Sequence, residues 1–176
     1  MEIITIFAER LLSFKYDANF GSEYSKKLSE WENQEFLFTK ALENNIGIDC
    51  IDQFFYEVFY DRECLMNLIK DCCSRDSLYD VFQNLHLNSH QIQRYEESKM
   101  KFRVKEHKHR LSRLRLYALR VNNSCFLITG GAIKFTQEMQ SHPDTLLELE
   151  KLKNGRLFLM KNDFNEEDIV ENLYES

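Results

Sequence analysis

Two short β-prone runs lie near the start of the chain, Glu2–Phe7 and Leu11–Tyr16, and in the second Leu12, Phe14 and Tyr16 alternate with polar residues. A period of two places alternate side chains on opposite faces of a strand, so the pattern predicts an N-terminal β-hairpin with Ala8–Arg10 at its turn. Asn19–Tyr24, containing Gly21 and Ser22, reads as a loop. Helical spacing then takes over. Ser29-Glu-Trp-Glu32 has the form of a capping box, in which the Ser hydroxyl and the Glu carboxylate satisfy amide donors at a helix start. That helix is expected to reach Asn45, bury Trp31, Phe38, Ala41 and Leu42, and break at Gly47. Asp49 is expected to cap a longer helix to Cys73, whose apolar residues Ile51, Phe55, Val58, Leu65, Ile69 and Cys72 recur at helical steps interrupted by Arg62. Phe54, Phe59 and Met66 widen this stripe, which marks a core element. A short helix is predicted over Leu78–Leu85, and residues 86–98, with weak periodicity, read as the connection between two halves.

The second half carries the clearest local pattern. Arg113–Val121 alternates as a strand, Asn122-Asn123 suits a two-residue turn, and Cys125–Thr129 returns, continuing past Gly130-Gly131 through Ala132–Phe135. With a two-residue loop, Val121 pairs with Ser124, Leu119 with Phe126, and Tyr117 with Ile128. Parity then places Arg113, Arg115, Tyr117 and Leu119 on one face with Phe126, Ile128, Gly130, Ala132 and Lys134, and Arg120 on the other. A bulge at Gly130-Gly131 would turn Lys134 to the far face. Ser141 or His142 is placed to cap a helix with Pro143 at its first position and Leu146, Leu149, Leu152 and Leu159 on its apolar side. Gly155 weakens its middle, and a last short helix opens at Asn165-Glu-Glu-Asp168. The expected class is α+β, an antiparallel sheet with helices packed on it. Residues 1–98 form an acidic, mainly helical region with the hairpin, and residues 99–176 hold the basic segment, the sheet and the C-terminal helices, as two units or one integrated domain.

Charge sharpens this division. Nine of the 23 Lys and Arg lie between Lys99 and Arg120, with Glu106 the single acid there, in a chain of net charge −6. A cationic block in an acidic background repels itself and suits an anionic partner: nucleic acid, an acidic protein, or the chain's own acidic half. With 43% hydrophobic and 13% aromatic residues the chain can fill a core. No apolar run is long enough for a transmembrane helix, and the N-terminus lacks the basic start of a signal peptide. Five cysteines without a C-x-x-C pair fit free thiols, so the expected location is cytoplasmic, with no membrane partner.

On the predicted hairpin face, Arg113, Arg115 and Lys134 suit a phosphodiester, since guanidinium and ammonium groups stabilise the extra charge of a pentacoordinate phosphorus without a metal. Tyr117 is placed to stack a base or donate a proton, and the two glycines to admit a base or backbone that a side chain would block. Lys105, His107, Lys108, His109, Arg110 and Arg120 are the candidate nucleic-acid contacts, with His107 and His109 near-neutral proton carriers for attack by an RNA 2′-hydroxyl. The plainer reading is that these arginines only protect a sheet edge. His86 and His90 stand at i,i+4, but no clear thiolate or acidic ligand accompanies them, so neither metal nor cofactor is expected. Phosphate-loop, dinucleotide-binding and nucleophile-elbow motifs are absent from the sequence.

The run from Arg115 to Gln137 resembles the C-terminal sheet of the RelE/HigB-type toxin superfamily, particularly its phage-derived branch. An Arg-x-x-Tyr-like strand, a short turn, an apolar strand and a Gly-x-x-Lys-Lys-Thr-Gln-like segment lead there into a C-terminal helix. The matching positions are Arg115, Tyr117, Lys134, Thr136 and Gln137, with Phe135 standing where a second Lys is common and Met139 where a Pro often follows. The likeness covers about residues 113–159. It implies helices on an antiparallel sheet, metal-independent mRNA cleavage, and a small DNA-binding antitoxin as partner. The alternative is a non-enzymatic interaction protein whose basic face binds an acidic protein. A third expectation is that the acidic N-terminal half lies against the basic block and restrains access to it.

Overall fold

The β-rich runs from the two ends of the sequence meet in one sheet. The computed structural model describes residues 1–7, 10–85, 94–105, 110–135, 143–162 and 164. Residues 8 and 9 of the expected first turn, His86, His90, His107, Lys108, His109, Thr136, Gln137, Met139, Ser141, His142 and the helix expected from Asn165 lie outside the described residues. β1 (Glu2–Phe7) and β2 (Leu11–Lys15) form the expected antiparallel hairpin. They join β3 (Phe82–Asn84), β4 (Glu96–Met100), β7 (Leu114–Arg120) and β8 (Phe126–Ile133) in a six-stranded sheet of order β1-β2-β8-β7-β4-β3. β2 runs parallel to β8, so the sheet is mixed rather than antiparallel as expected. The pairing of Leu11 with Phe126 is far from local in sequence, and no turn signal announces it. A two-stranded ribbon, β5 (Arg103–Val104) with β6 (Arg110–Leu111), stands beside the sheet. Among the described residues, four helices complete an α+β architecture: α1 (Glu23–Glu30), α2 (Gln34–Glu43), α3 (Ile51–Arg75) and α4 (Pro143–Lys161).

Each face of the sheet has its own core. Leu114, Leu116, Ala118, Phe126 and Ile128 pack with Trp31, Leu37 and Ala41 and with the α3 residues Ile51, Phe54, Val58, Leu65 and Ile69. On the opposite face, Tyr117, Leu119 and Leu127 pack with Leu12 and Phe14 and with Leu152 and Leu159 of α4. Full burial of each such Leu or Phe contributes about 1.5–3 kcal/mol. The boundary placed at residue 98 falls inside β4, and the first core draws on Leu11 as well as Leu116, so the hairpin is part of the same sheet as the C-terminal strands.

The helix starts differ from expectation for a local reason. Ser22 Oγ accepts from Ser25 N and caps α1, within the segment read as a loop. Asn33 Oδ1 accepts from Phe36 N and caps α2, so Ser29 sits in the last turn of α1 rather than at a helix start. Trp31 and Ala41 are buried, whereas Phe38 and Leu42 are exposed. α3 begins after a 3-10 turn at Ile48–Cys50, with no side-chain cap from Asp49. Leu78–Asp80 is a single 3-10 turn leading into β3 rather than a helix to Leu85.

The hairpin turn also departs from the two-residue form. Neither Asn122 nor Asn123 adopts positive φ, which a type I′ turn requires. Instead Asn122 Oδ1 accepts from Ser124 N and Cys125 N at 2.8 Å each, closing a longer loop in which Val121 N donates to Cys125 O. Register moves by one residue, giving Leu119 opposite Leu127. A bulge at Thr129, between the Ala118–Ile128 and Tyr117–Gly130 pairs, moves it by one more. The two shifts cancel in parity beyond the bulge. Gly130 therefore opposes Tyr117 and Ala132 opposes Arg115, while Phe126 and Ile128 turn to the other core.

α4 crosses the sheet over these glycines and brings a buried carboxylate with it. Glu148 is 2% exposed; its Oε1 lies 3.0 Å from Lys151 Nζ and 3.6 Å from Lys27 Nζ, and its Oε2 is buried without a hydrogen-bond partner. Burial pushes the Glu148 carboxyl up, outweighing the two lysines. A carboxyl raised on folding binds protons more tightly in the native state, so its contribution falls as pH climbs from the unfolded carboxylate range toward the native value. Glu148→Gln removes that loss. The stability of Glu148→Gln relative to the parent, from urea midpoints, is expected to increase between pH 4 and pH 7; a difference independent of pH would refute the assignment.

Candidate phosphate-binding site

β7 enters the sheet from a sharply held corner, and that corner concentrates the cations. Asp61 lies on the buried stripe of α3 and is fully buried. Its Oδ1 accepts from Arg110 Nη2 at 2.7 Å and its Oδ2 from Arg110 Nη1 at 3.0 Å, a two-point fork. Oδ2 also accepts from the backbone N–H of Arg113 at 2.6 Å. One helical turn earlier, Glu57 Oε2 accepts from Arg113 Nε at 2.5 Å while Gln53 Nε2 donates to Glu57 Oε1 at 3.1 Å. The Arg113 guanidinium lies 5.6 Å over the Phe54 ring. α3 thus fixes both arginines with acids from the N-terminal half.

Beyond this corner opens a cavity of about 480 Å³ lined by Glu57, Arg110, Leu111, Ser112, Arg113, Arg115, Lys134 and Phe135. Arg115 is 4% exposed, and its Nη1 donates to the carbonyls of Ser112 at 2.5 Å and Leu114 at 2.6 Å, which braces the side chain at the cavity wall. Lys134 is hydrogen-bonded through its backbone N–H to Arg113 O at 2.7 Å, directly across from it. The bulge at Thr129 leaves Gly130-Gly131 in regular register and Lys134 beside Arg113 and Arg115.

The cations here are crowded. Burial pulls the Lys134 ammonium down, and Arg115 and Lys101 add repulsion. Lys99 on β4, opposite Tyr117, is lowered by burial and then by Lys101, Arg115 and Lys134. Glu57 is pushed up by burial, but its bonds from Arg113 and Gln53 and the nearby charge of Arg110 win and hold it below the usual carboxylate range. Groups whose charged forms repel one another are stabilised when an anion enters among them.

Arg110, Arg113, Arg115 and Lys134 are thus brought together, and the other candidates stand apart. Tyr117 is 1% exposed beneath α4, where burial raises its hydroxyl, and it does not line the cavity. Arg120 lies at the far end of β7, bonded to Glu96 at 3.3 Å and to Asn123 at 2.9 Å. Lys105 is exposed at the end of the ribbon strand β5. The space over the glycines is not open to a base: a Cβ on Gly130 would meet Glu148, and one on Gly131 would meet Trp31.

Asp61 and Glu57 are the residues that sequence reasoning missed. The observed buried stripe runs Ile51, Phe54, Val58, Asp61, Leu65, Ile69, Cys72, so Asp61 occupies an apolar position and Arg62 lies beside it. An acid inside an apolar stripe signals a buried cationic partner, which only the basic block offered in quantity. Among the described residues no helix is long and apolar enough to cross a membrane. No family model, curated protein or solved structure matches the chain.

Proposed function

We propose that this protein is a cytoplasmic RNA-binding toxin of the RelE/HigB type, acting as a metal-independent mRNA endoribonuclease with an antitoxin protein as partner. The convergence of Arg110, Arg113, Arg115 and Lys134 on one cavity carries this reading. A phosphodiester seated there meets cations fixed in advance by α3 and by backbone carbonyls. Attack of the RNA 2′-hydroxyl forms a new P–O bond as the P–O5′ bond breaks, giving a 2′,3′-cyclic phosphate and a 5′-hydroxyl. The 2′ proton leaves and a proton arrives at the 5′ oxygen, roles for which His107 and His109 are the sequence candidates. Arg113, Arg115 and Lys134 stabilise the added negative charge on phosphorus oxygens, and preorganised donors of this kind are worth about 100- to 1,000-fold in rate each. The proposed role of Tyr117 is to set the sheet beneath Arg115 rather than to exchange a proton, in keeping with its burial.

The test uses purified protein with single-stranded RNA in EDTA, and with translating ribosomes. Cleavage is expected, and Lys134→Ala should slow it by about 100-fold. Lys134 is half-buried, so its loss should leave the melting temperature close to the parent's. Intact RNA under both conditions would sink the enzymatic reading. Salt-sensitive binding to an acidic protein without RNA affinity would replace it with the interaction role.

A further inference from the structure

The two acids that α3 turns toward the cations differ in how firmly they hold. Asp61 is fully buried and grips Arg110 through a fork and Arg113 through its backbone. Glu57 keeps 17% of its side-chain surface exposed, lines the cavity itself, and reaches Arg113 through Nε. The Arg113 side chain, 31% exposed, is also supported by the Phe54 ring, which does not depend on Glu57. A carboxylate on a guanidinium at the wall of a cationic cavity occupies the place an incoming phosphate oxygen would take. The two anions compete for the same donor, and a phosphodiester brings charge to Arg115 and Lys134 as well, which Glu57 does not.

Taking the cavity as a phosphate site, as proposed above, we infer that Glu57 is an exchangeable internal competitor that holds Arg113 until the phosphate of an RNA strand displaces it. Asp61 is the permanent half of the clamp and Glu57 the releasable half. The acidic N-terminal region therefore governs access to Arg113 through one releasable side chain of α3, while Asp61 stays in place. Before exchange the strand meets Lys134, Arg115 and the neighbouring Lys99 and Lys101; after exchange Arg113 adds a further phosphate contact.

The experiment measures binding of a fluorescent single-stranded oligoribonucleotide by anisotropy, in EDTA and across a salt series. Parent, Glu57→Gln, Arg113→Ala and the double variant are compared, with a thermal melt confirming that each is folded. Glu57→Gln is expected to tighten binding by about fivefold or more, the scale of coupling between competing sites. Arg113 meets the strand in both proteins once exchange is complete, so the gain should appear as an offset in affinity along the salt series, while Arg113→Ala, which lacks that contact, should flatten the slope of log affinity against log salt by about 0.7. The gain must vanish when Arg113 is absent. A gain that persists in the double variant would overturn the inference, because removing any negative charge would then suffice. Reduced affinity in Glu57→Gln would also overturn it.

Pyrophosphate, titrated by thermal shift, separates this inference from the RNA reading. If no variant binds RNA but Glu57→Gln tightens pyrophosphate through Arg113, the RNA reading fails and the exchange stands. RNA bound with equal affinity by parent and Glu57→Gln leaves the RNA reading standing and overturns the exchange.

Discussion

Asp61→Ala is expected to destabilise the fold by about 3 kcal/mol, measured as the loss in unfolding free energy from urea denaturation. Breaking a buried charge pair by removing one partner costs about 3–5 kcal/mol when the other charge stays buried. Arg110 retains 24% exposure and can turn its guanidinium toward water, which places the expected value at the lower end. The backbone N–H of Arg113 has no such escape, because it points at Asp61 from the corner that launches β7. An unsatisfied buried amide adds about 1–3 kcal/mol to any such loss. Asp61→Asn keeps an oxygen for one donor but sets an amide N–H against a guanidinium, so it should fall between parent and alanine. A cost for Asp61→Ala below about 1 kcal/mol would show that the corner does not depend on this carboxylate. Glu57→Gln, one turn away and partly hydrated, should change stability far less. That contrast distinguishes the fixed hold on the cations from the releasable one.

The ease of reading this chain from its sequence follows the range of the interactions involved. β2 and β7 carry alternating residues and β1 and β8 are short β-prone runs, patterns that local steric preference can place, and the hairpin between β7 and β8 has a turn marked by two asparagines. β4 is Glu96-Glu97-Ser98-Lys99-Met100, which carries little hydrophobic signal, and it is a strand because β7 and β3 pair with its backbone on both sides. The parallel contact of β2 with β8 likewise depends on a surface assembled from distant segments. The cationic site follows the same rule. Arg113, Arg115 and Lys134 were legible as a set because strand parity brings them to one region. The acidic partners of Arg113 were not, because Glu57 and Asp61 reach it from a helix more than fifty residues earlier. The expected part for Tyr117 as a proton donor follows from strand parity and from the family resemblance, neither of which shows what packs over the ring. Parity gives the correct face but not what covers it, and α4 covers that face.

Gly131→Ala is expected to cost about 3 kcal/mol, whereas Gly130→Ala should cost only about 1, although the nearer atom lies over Gly130. A Cβ on Gly130 would come within 1.7 Å of Glu148 Oε2, the far end of a flexible side chain that can swing aside at the expense of its lysine contacts. At Gly131 the new carbon would sit 2.9 Å from the carbonyl oxygen of Arg115 and 2.9 Å from two ring carbons of Trp31. Neither can yield easily: one is backbone in the paired strand, and the other belongs to an indole with 1% exposure. Relief at Gly131 must come from moving β7 at Arg115, which also moves the wall of the cavity. Gly131→Ala should therefore lower both the melting temperature and phosphate affinity, while Gly130→Ala should lower stability with affinity nearly intact. Paired melts and pyrophosphate titrations of the two variants provide the check. If Gly130→Ala proves the more damaging, Glu148 is held more rigidly than its place at the end of a side chain implies. The buried carboxylate, rather than the Trp31–Arg115 contact, would then be what fixes β8 in register beside β7.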